Sequence, residues 1–405
     1  MGSFISVFSG AGGLDLGLEA AGWDCLYATD HDRDAVETLK ANKGYPLSRG
    51  RAALANALIE GADIRLVSGR DVLSKIGATR GQVPLLAGGP PCQSWSSGGL
   101  QKGFEDPRGR LVEDYLRIAA QLDTRWLLLE NVRGLLTARG VDGIPGSALA
   151  QVRRALYDRG WQSRVELVNA ADFGVAQRRV RLILIGYRPG DEPGLPVPTH
   201  SSSRGLTRKE WVTLGECLGR IAPPSDNEII RPSGKMAMDL ADLPPGTGAK
   251  SPGKTEATRP GGHWGYKQGA FIADLMKPGR TVTASSQQDW IRDPQLGLRR
   301  LCPRECAAVQ SFPDEWRFAG KRSDLYRLIG NAVPPELARH LGLALLRSLA
   351  QPSARLGAPP LALAPLSADL QSAIEYTLRE ERRNGASRRA TGKKLHVAAT
   401  RIASI

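Results

Sequence analysis

Phe4-Ile5-Ser6-Val7-Phe8-Ser9-Gly10-Ala11-Gly12-Gly13 sets the frame for reading the chain. Its first half is a mostly apolar run of strand length. Its second half is a glycine turn that lets main chain approach a ligand and presents N–H groups at the start of a helix. Moving outward, further apolar runs at 25–29, 64–67, 84–87, 126–129, 165–168 and 180–186 predict strands, while 32–42, 111–122 and 147–158 have helical length and apolar spacing. Strands alternating with amphipathic helices are the pattern of βαβ units, so the expected fold class is α/β with a largely parallel sheet.

In such a sheet ligands bind outside the carboxyl ends of the strands, so the residues that follow each run carry the functional reading. These are Gly10 and Gly12, then Asp30, Asp71, Gly88-Gly89-Pro90-Pro91-Cys92 and Glu130-Asn131, all expected on one rim. Asp30 lies about 20 residues past the turn, where a carboxylate takes ribose hydroxyls; its bland alternative is an N-cap for the next helix. Counted from Gly10, the sixth position is Asp15 rather than glycine, which argues against a nicotinamide dinucleotide and for an adenosyl cofactor. Cys92 sits in an irregular Pro-Pro-Cys-Gln loop, not on an apolar face, which favours a reactive thiol over packing. Glu130 closes a strongly apolar strand, where desolvation favours a protonated carboxyl that donates to a ring nitrogen. Residues 94–110 are rich in Gly and Ser and hold Lys102, Arg108 and Arg110, a composition suited to a phosphate-touching lid.

With 405 residues the chain is long enough for two domains, and 41% hydrophobic with 24% charged residues excludes wholesale disorder and fibrous architecture. Fifty-five Lys and Arg against 41 Asp and Glu give +14, which points to a polyanionic partner. Five scattered cysteines argue against a disulfide framework and for a reducing compartment, hence the cytoplasm. Cys302 and Cys306 lack partners at zinc-like spacing, so no metal is expected. No apolar run has the length of a membrane span. The opening Met-Gly-Ser-Phe-Ile-Ser matches a myristoylation pattern but runs straight into the first strand, and is discounted. Pro, Gly and Ser become frequent over 189–300, a helix is expected over 334–349, and a Pro/Ala-rich linker then leads to a tail that is basic beyond Glu381.

Six motifs in order resemble those of the cytosine-C5 DNA methyltransferases of bacterial or phage type: Phe8-Ser9-Gly10-Ala11-Gly12-Gly13, Gly89-Pro90-Pro91-Cys92-Gln93, Glu130-Asn131-Val132, Gln177-Arg178-Arg179-Val180-Arg181, Arg304-Glu305 through Gln310-Ser311-Phe312-Pro313, and Gly330-Asn331-Ala332-Val333-Pro334. The resemblance implies a Rossmann-like S-adenosylmethionine-dependent methyltransferase domain, 1–188 plus about 325–350, with a smaller target-recognition domain over 189–324 and a basic extension over 351–405. It implies that Phe8, Gly10, Gly12, Asp30, Asp71, Pro90, Leu111 and Asn331 line the S-adenosylmethionine pocket. Cys92, Glu130, Arg179 and Arg181 would be catalytic, and Gln93, Ser96, Lys102 and Arg108 would touch DNA. The implied reaction adds the Cys92 thiolate to carbon 6 of a cytosine flipped out of duplex DNA and methylates carbon 5. The expected setting is a monomer in the bacterial cytoplasm, associated with the nucleoid, either in a restriction-modification system with a companion restriction endonuclease acting on the same site or as a solitary modification enzyme.

Two departures stand out. Residues 43–63 read as an insertion, which leaves Asp71 rather than Asp63 as the choice for the adenine-side carboxylate, and Ala308 stands where the family usually has Arg. Three competing readings are an RNA cytosine methyltransferase, a DNA-binding module without catalysis and a small-molecule dehydrogenase. They are disfavoured respectively by the long 189–300 segment, by Cys92 with Glu130, and by Asp15.

Overall fold

A computed structural model describes residues 2–91, 111–140, 142–203, 205, 207–250, 270–351 and 362–390. The chain forms two compact units. One combines Met1–Ala62, Val168–Arg179 and Gly194–Arg347; the other combines Asp63–Leu167, Val180–Pro193 and Ser348–Ile405.

The first unit opens with β1 (Ser3–Val7), α1 (Gly13–Ala21), β2 (Asp24–Asp30) and α2 (Arg33–Ala41). Strand β1 is buried along nearly its whole length and pairs in parallel with β2, which explains why its sequence is apolar on both faces instead of alternating. Asp32 caps α2, its side chain accepting the N–H groups of Asp34 and Ala35. The expected insertion contains a short hairpin, β3 (Tyr45–Pro46) with β4 (Ala52–Ala53), followed by β5 (Leu58–Gly61). Strand β5 pairs in parallel with β2, giving the local order β5-β2-β1. The third strand therefore lies six residues earlier than 64–67, which is a turn closed by Leu66 N–H on the Asp63 carbonyl at 2.8 Å. Leu66 is 84% exposed while Ile64 and Val67 are buried, the burial of a turn resting on the core rather than of a strand within the sheet.

The second unit begins with α3 (Gly69–Lys75), β6 (Leu85–Gly88), α4 (Leu111–Leu122), β7 (Trp126–Val132), α5 (Ser147–Tyr157), β8 (Gln162–Asn169) and β9 (Val180–Tyr187). Its strand order is β6-β7-β9-β8, with β6 parallel and β9 antiparallel to β7. The Tyr115 hydroxyl on α4 is fully buried and lies 3.0 Å from the carbonyls of both Leu86 and Leu128, fixing the helix against the strand pair.

The chain then returns to the first unit through β10 (His200–Ser201), β11 (Lys209–Glu210), α6 (Leu214–Leu218), α7 (Gly234–Ala241), β12 (Thr247–Gly248), β13 (Phe271–Ile272), β14 (Trp290–Asp293) and β15 (Gly297–Arg300). The last four form a small sheet in that order, whose core is Leu240, Leu243, Ile272 and Trp290. Helices α8 (Pro303–Val309), α9 (Arg322–Asn331) and α10 (Pro335–Leu349) follow. Helix α10 lies so close to α1 that a Cβ on Gly17 would stand 2.2 Å from the Pro335 carbonyl, and Trp23 Nε1 donates to the Gly342 carbonyl at 2.9 Å. The last described element, in the second unit, is α11 (Ala368–Ala390).

Candidate active site

In the first unit the glycine turn is shaped by backbone that most residues avoid. Phe8 and Gly10 both take positive φ, 56° and 54°. The result is open space beside Gly10, where an added Cβ would meet nothing within 4 Å. Gly12 is the tight position, since a Cβ there would lie 2.8 Å from Leu39 Cδ2. Asp30 ends β2, and its two carboxylate oxygens accept the N–H groups of Gly10 and Asp32, each at 2.9 Å. The helix cap belongs to Asp32, so the bland alternative for Asp30 falls away. Its carboxylate holds the turn in shape and keeps 10% of its side-chain surface. Trp316 Nε1 donates to the Ala11 carbonyl at 3.1 Å, a second clamp on the turn that sequence reading missed.

Asn331 closes α9 and is exposed, while the peptide groups on either side of it are gripped from below. Arg179 Nη2 donates to the carbonyls of Gly330 and Ala332 at 2.8 and 2.9 Å, and Nη1 donates to Val282 at 3.0 Å. Gln310 Nε2 adds a bond to Ile329 at 2.7 Å. Arg179, expected at the reacting base, instead supports main chain, because it is 1% exposed and its guanidinium is committed to these carbonyls. Open space at Gly10, an anchored carboxylate at Asp30 and an exposed amide at Asn331 together fit a nucleoside ligand that brings hydroxyl and amine groups.

In the second unit Glu130 and Arg181 come together. The antiparallel register sets Glu130 opposite Ile183 and Val132 opposite Arg181, so the two are diagonal neighbours on one face. Arg181 Nε stands 3.0 Å from Glu130 Oε1, with side chains 11% and 10% exposed. Asn131 Nδ2 donates to the Pro90 carbonyl at 3.1 Å, bolting the root of the Pro-Pro-Cys loop to the end of β7. A Cβ on Gly89 would lie 3.4 Å from Glu130 Oε2, so glycine is what lets that loop pass so near the carboxylate. Leu111 is the first residue of α4. Asp71 does not join a cluster of ligand-facing groups. It is exposed on the first turn of α3, its N–H bonded to Ser68 Oγ, and the acid that follows β5 in sequence is Asp63, paired with Arg65. Cys92, Gln93, Ser96, Lys102 and Arg108 lie outside the described residues.

Comparison with known proteins gives the family. The model of the C-5 cytosine-specific DNA methylase family matches residues 2–347. The chain belongs to that family. As a C-5 cytosine-specific DNA methylase it uses S-adenosylmethionine as methyl donor. The Type II methyltransferase M.NgoPII of Neisseria gonorrhoeae is 32% identical over 85% of this chain and 95% of its own length, and M.FnuDI of Fusobacterium nucleatum is 29% identical over 82% and 91%. Among solved structures, a DNA modification methyltransferase encoded within an Escherichia coli prophage superposes with a TM-score of 0.62 at 20% identity, covering 87% of this methylase and 100% of that chain. The Dnmt2 of Spodoptera frugiperda gives 0.59 at 16% identity, covering 87% and 100%. These two likenesses establish the fold, a Rossmann-like α/β methyltransferase. Among the described residues no helix is long and apolar enough to cross a membrane.

Proposed function

We propose that this methylase modifies one cytosine of a specific duplex sequence with Cys92 as covalent nucleophile, Glu130 and Arg181 holding the base, and Phe8, Gly10, Asp30, Pro90, Leu111 and Asn331 on the cofactor side. The observation that carries the reading is the buried Glu130–Arg181 pair at the root of the Pro90-Pro91-Cys92 loop. Carbon 5 of cytosine is a weak nucleophile. Addition of the Cys92 thiolate to carbon 6 forms a C–S bond and pushes the ring electrons toward carbon 5 and N3, and the carboxyl of Glu130, oriented by Arg181, donates its proton toward N3 as charge develops there and takes it back when Cys92 leaves. Bound S-adenosylmethionine supplies an electrophilic methyl on a sulfonium. Water takes the carbon 5 proton, and the returning electron pair expels Cys92 as thiolate. Asp30 holds the glycine turn ready for a ribose, and Arg179 holds Asn331 in place.

Residues 189–324 carry target recognition in this reading, and the protein works as a monomer in the cytoplasm on the nucleoid, beside an endonuclease that cuts the same unmodified site. The names of the relatives support the restriction-modification part of that setting, since they are Type II methyltransferases. Bisulfite sequencing of DNA from cells expressing the protein tests the proposal: methylated cytosines appear in one sequence context, and Cys92→Ala abolishes them. A trapped adduct with duplex containing 5-fluorocytosine is expected for the native chain, because fluorine at carbon 5 blocks the proton loss that releases Cys92. Methylation persisting in Cys92→Ala would overturn the mechanism.

A further inference from the structure

Charged side chains of the second unit gather in a second place, at the end of β7 away from Glu130. An open basin of about 570 Å³ is lined there by Arg70, Arg80, Arg117, Arg159, Ala120 and Gln121, with no carboxylate in the lining among the described residues. The register fixes where it lies. Trp126 opens β7 opposite Tyr187, and the next residue, Arg188, donates to the Arg159 carbonyl at 2.9 Å and to Asp123 Oδ1 at 2.8 Å. The Gly81 N–H donates to the Leu122 carbonyl at 2.8 Å, which brings Arg80 to the same end. Glu130 lies four residues further along the strand, roughly 13 Å away at about 3.3 Å per residue.

The four arginines come from α3, from the loop that enters β6, from α4 and from the residues just past α5. Part of the basin is fixed in advance. Arg117 donates to the carbonyls of Ile64 and Val67 at 2.9 and 2.7 Å and pairs with Asp114 at 3.1 Å, while Arg159 pairs with Glu113 at 2.7 Å. Gln121 accepts the Gly69 N–H through Oε1 at 2.7 Å, so its amide N–H groups are left to donate elsewhere. The other two arginines are not spent. Arg70 is exposed and makes no ion pair among the described residues, and Arg80 comes only within 3.8 Å of Asp123, a carboxylate that Arg188 already binds. Glu113, Asp114 and Asp123 thus stand outside the lining against four guanidiniums within it, and the basin keeps an excess of positive charge. Guanidiniums repel one another, and a surface that served only solubility would intersperse them with acids. Their forks match phosphate oxygens two at a time, so their gathering around one concavity is the chemistry of a phosphate receptor.

We propose that this basin binds a small multivalent phosphate, a di- or triphosphate chain either free or carried by a nucleoside, with Arg70 and Arg80 as its principal ligands and Arg117, Arg159 and Gln121 as its floor. The volume is that of a small-ligand site, and the arginine lining turns away apolar ligands. Because the basin lies at the opposite end of β7 from Glu130, it should fill independently of the duplex.

Calorimetric titration of the full chain with inorganic triphosphate tests the proposal, first without DNA and then with a saturating short duplex that the protein methylates. A single triphosphate should bind under both conditions, and orthophosphate should bind more weakly. Arg70→Ala combined with Arg80→Ala should weaken triphosphate binding by roughly tenfold or more, the effect of losing two charge-assisted hydrogen-bonding partners. Arg70→Lys with Arg80→Lys keeps the charge but not the fork and should lie between. In the alanine pair the kcat, the affinity for S-adenosylmethionine and the unfolding midpoint should be unaltered, since both side chains are exposed. A parallel titration with adenosine triphosphate separates the two sources: tighter binding than triphosphate assigns a nucleotide, and any other result a bare phosphate chain. The proposal is overturned by a native chain that binds no triphosphate, by equal binding in the alanine pair, or by displacement with duplex, which would make the basin part of the DNA-binding surface.

Discussion

Arg181 Nε stands 3.0 Å from Glu130 Oε1 across the β7–β9 pair, both side chains nearly buried. The antiparallel register makes them diagonal neighbours, so neither can move without disturbing the other. Ion pairs this buried matter less for stability than for holding one geometry, because desolvation offsets much of the attraction.

Glu130→Gln should therefore keep the fold and lower kcat by about 100-fold, the range of a lost electrostatic contact in a water-excluded site. Arg181→Ala should lower kcat comparably, and the double variant should lose far less than the product of the two, because the side chains act as one unit. Single-turnover methylation of a short duplex measures this. Multiplicative losses would show that the two act independently.

Arg179 gives the opposite pattern. Arg179→Ala removes the buried guanidinium from the carbonyls of Val282, Gly330 and Ala332, although Ala332 keeps a bond from Gln310 Nε2 at 3.3 Å. The expected cost is about 2–4 kcal/mol of stability, together with weaker S-adenosylmethionine binding through the displaced Asn331 turn and a smaller effect on kcat. Arg179→Lys should recover only part, since an ammonium cannot span all three carbonyls. Urea unfolding and calorimetric titration of S-adenosylmethionine separate the two effects; unchanged cofactor affinity in Arg179→Ala would remove Arg179 from the support of Asn331.

The contrast between two arginines two residues apart marks how far the sequence could be read. Glu130 and the glycine turn were legible because buried parallel strands write continuous apolar runs and place their ligand residues at the strand ends. Strand β5 was not, because Leu58 to Gly61 is half exposed and carries Glu60, while the more apolar 64–67 is a turn. Nothing in Arg179-Val180-Arg181 says which guanidinium is spent on main chain; carbonyls from residues 103 to 153 positions away decide that. The arginine basin was equally hidden, since Arg70, Arg80, Arg117 and Arg159 come from separate stretches that only the fold brings together.

Asp30 makes a separable prediction about the cofactor. Asp30→Ala removes the acceptor for the N–H groups of Gly10 and Asp32 and so loosens the turn, raising the KM for S-adenosylmethionine by roughly tenfold or more. Asp30→Asn keeps one acceptor oxygen and should lie between. Initial rates at saturating DNA over a range of S-adenosylmethionine give the ordering, and a KM unaltered in Asp30→Ala would take the ribose role from this carboxylate.

Beneath the same turn lies a group that should make stability depend on pH. Burial raises the Asp15 carboxyl from its ordinary 3.8 to about 7, with the Ser6 and Ser9 hydroxyls offsetting part of the effect and the Asp30 charge adding to it. The folded chain thus binds a proton that the unfolded chain has released between about pH 4 and 7. The stabilisation is whole below the unfolded value and is lost as pH rises through the folded one. Asn has the shape of Asp without the charge, so the stability of the native chain relative to Asp15→Asn should decline with rising pH in that window, by up to about 1.4 kcal/mol per unit. Glu19, raised from 4.5 to about 8 chiefly by burial, follows the same trend but is present in both proteins. Denaturation midpoints at half-unit steps of pH measure the difference, and parallel curves for the two chains would mean that Asp15 is ionised in the folded state throughout.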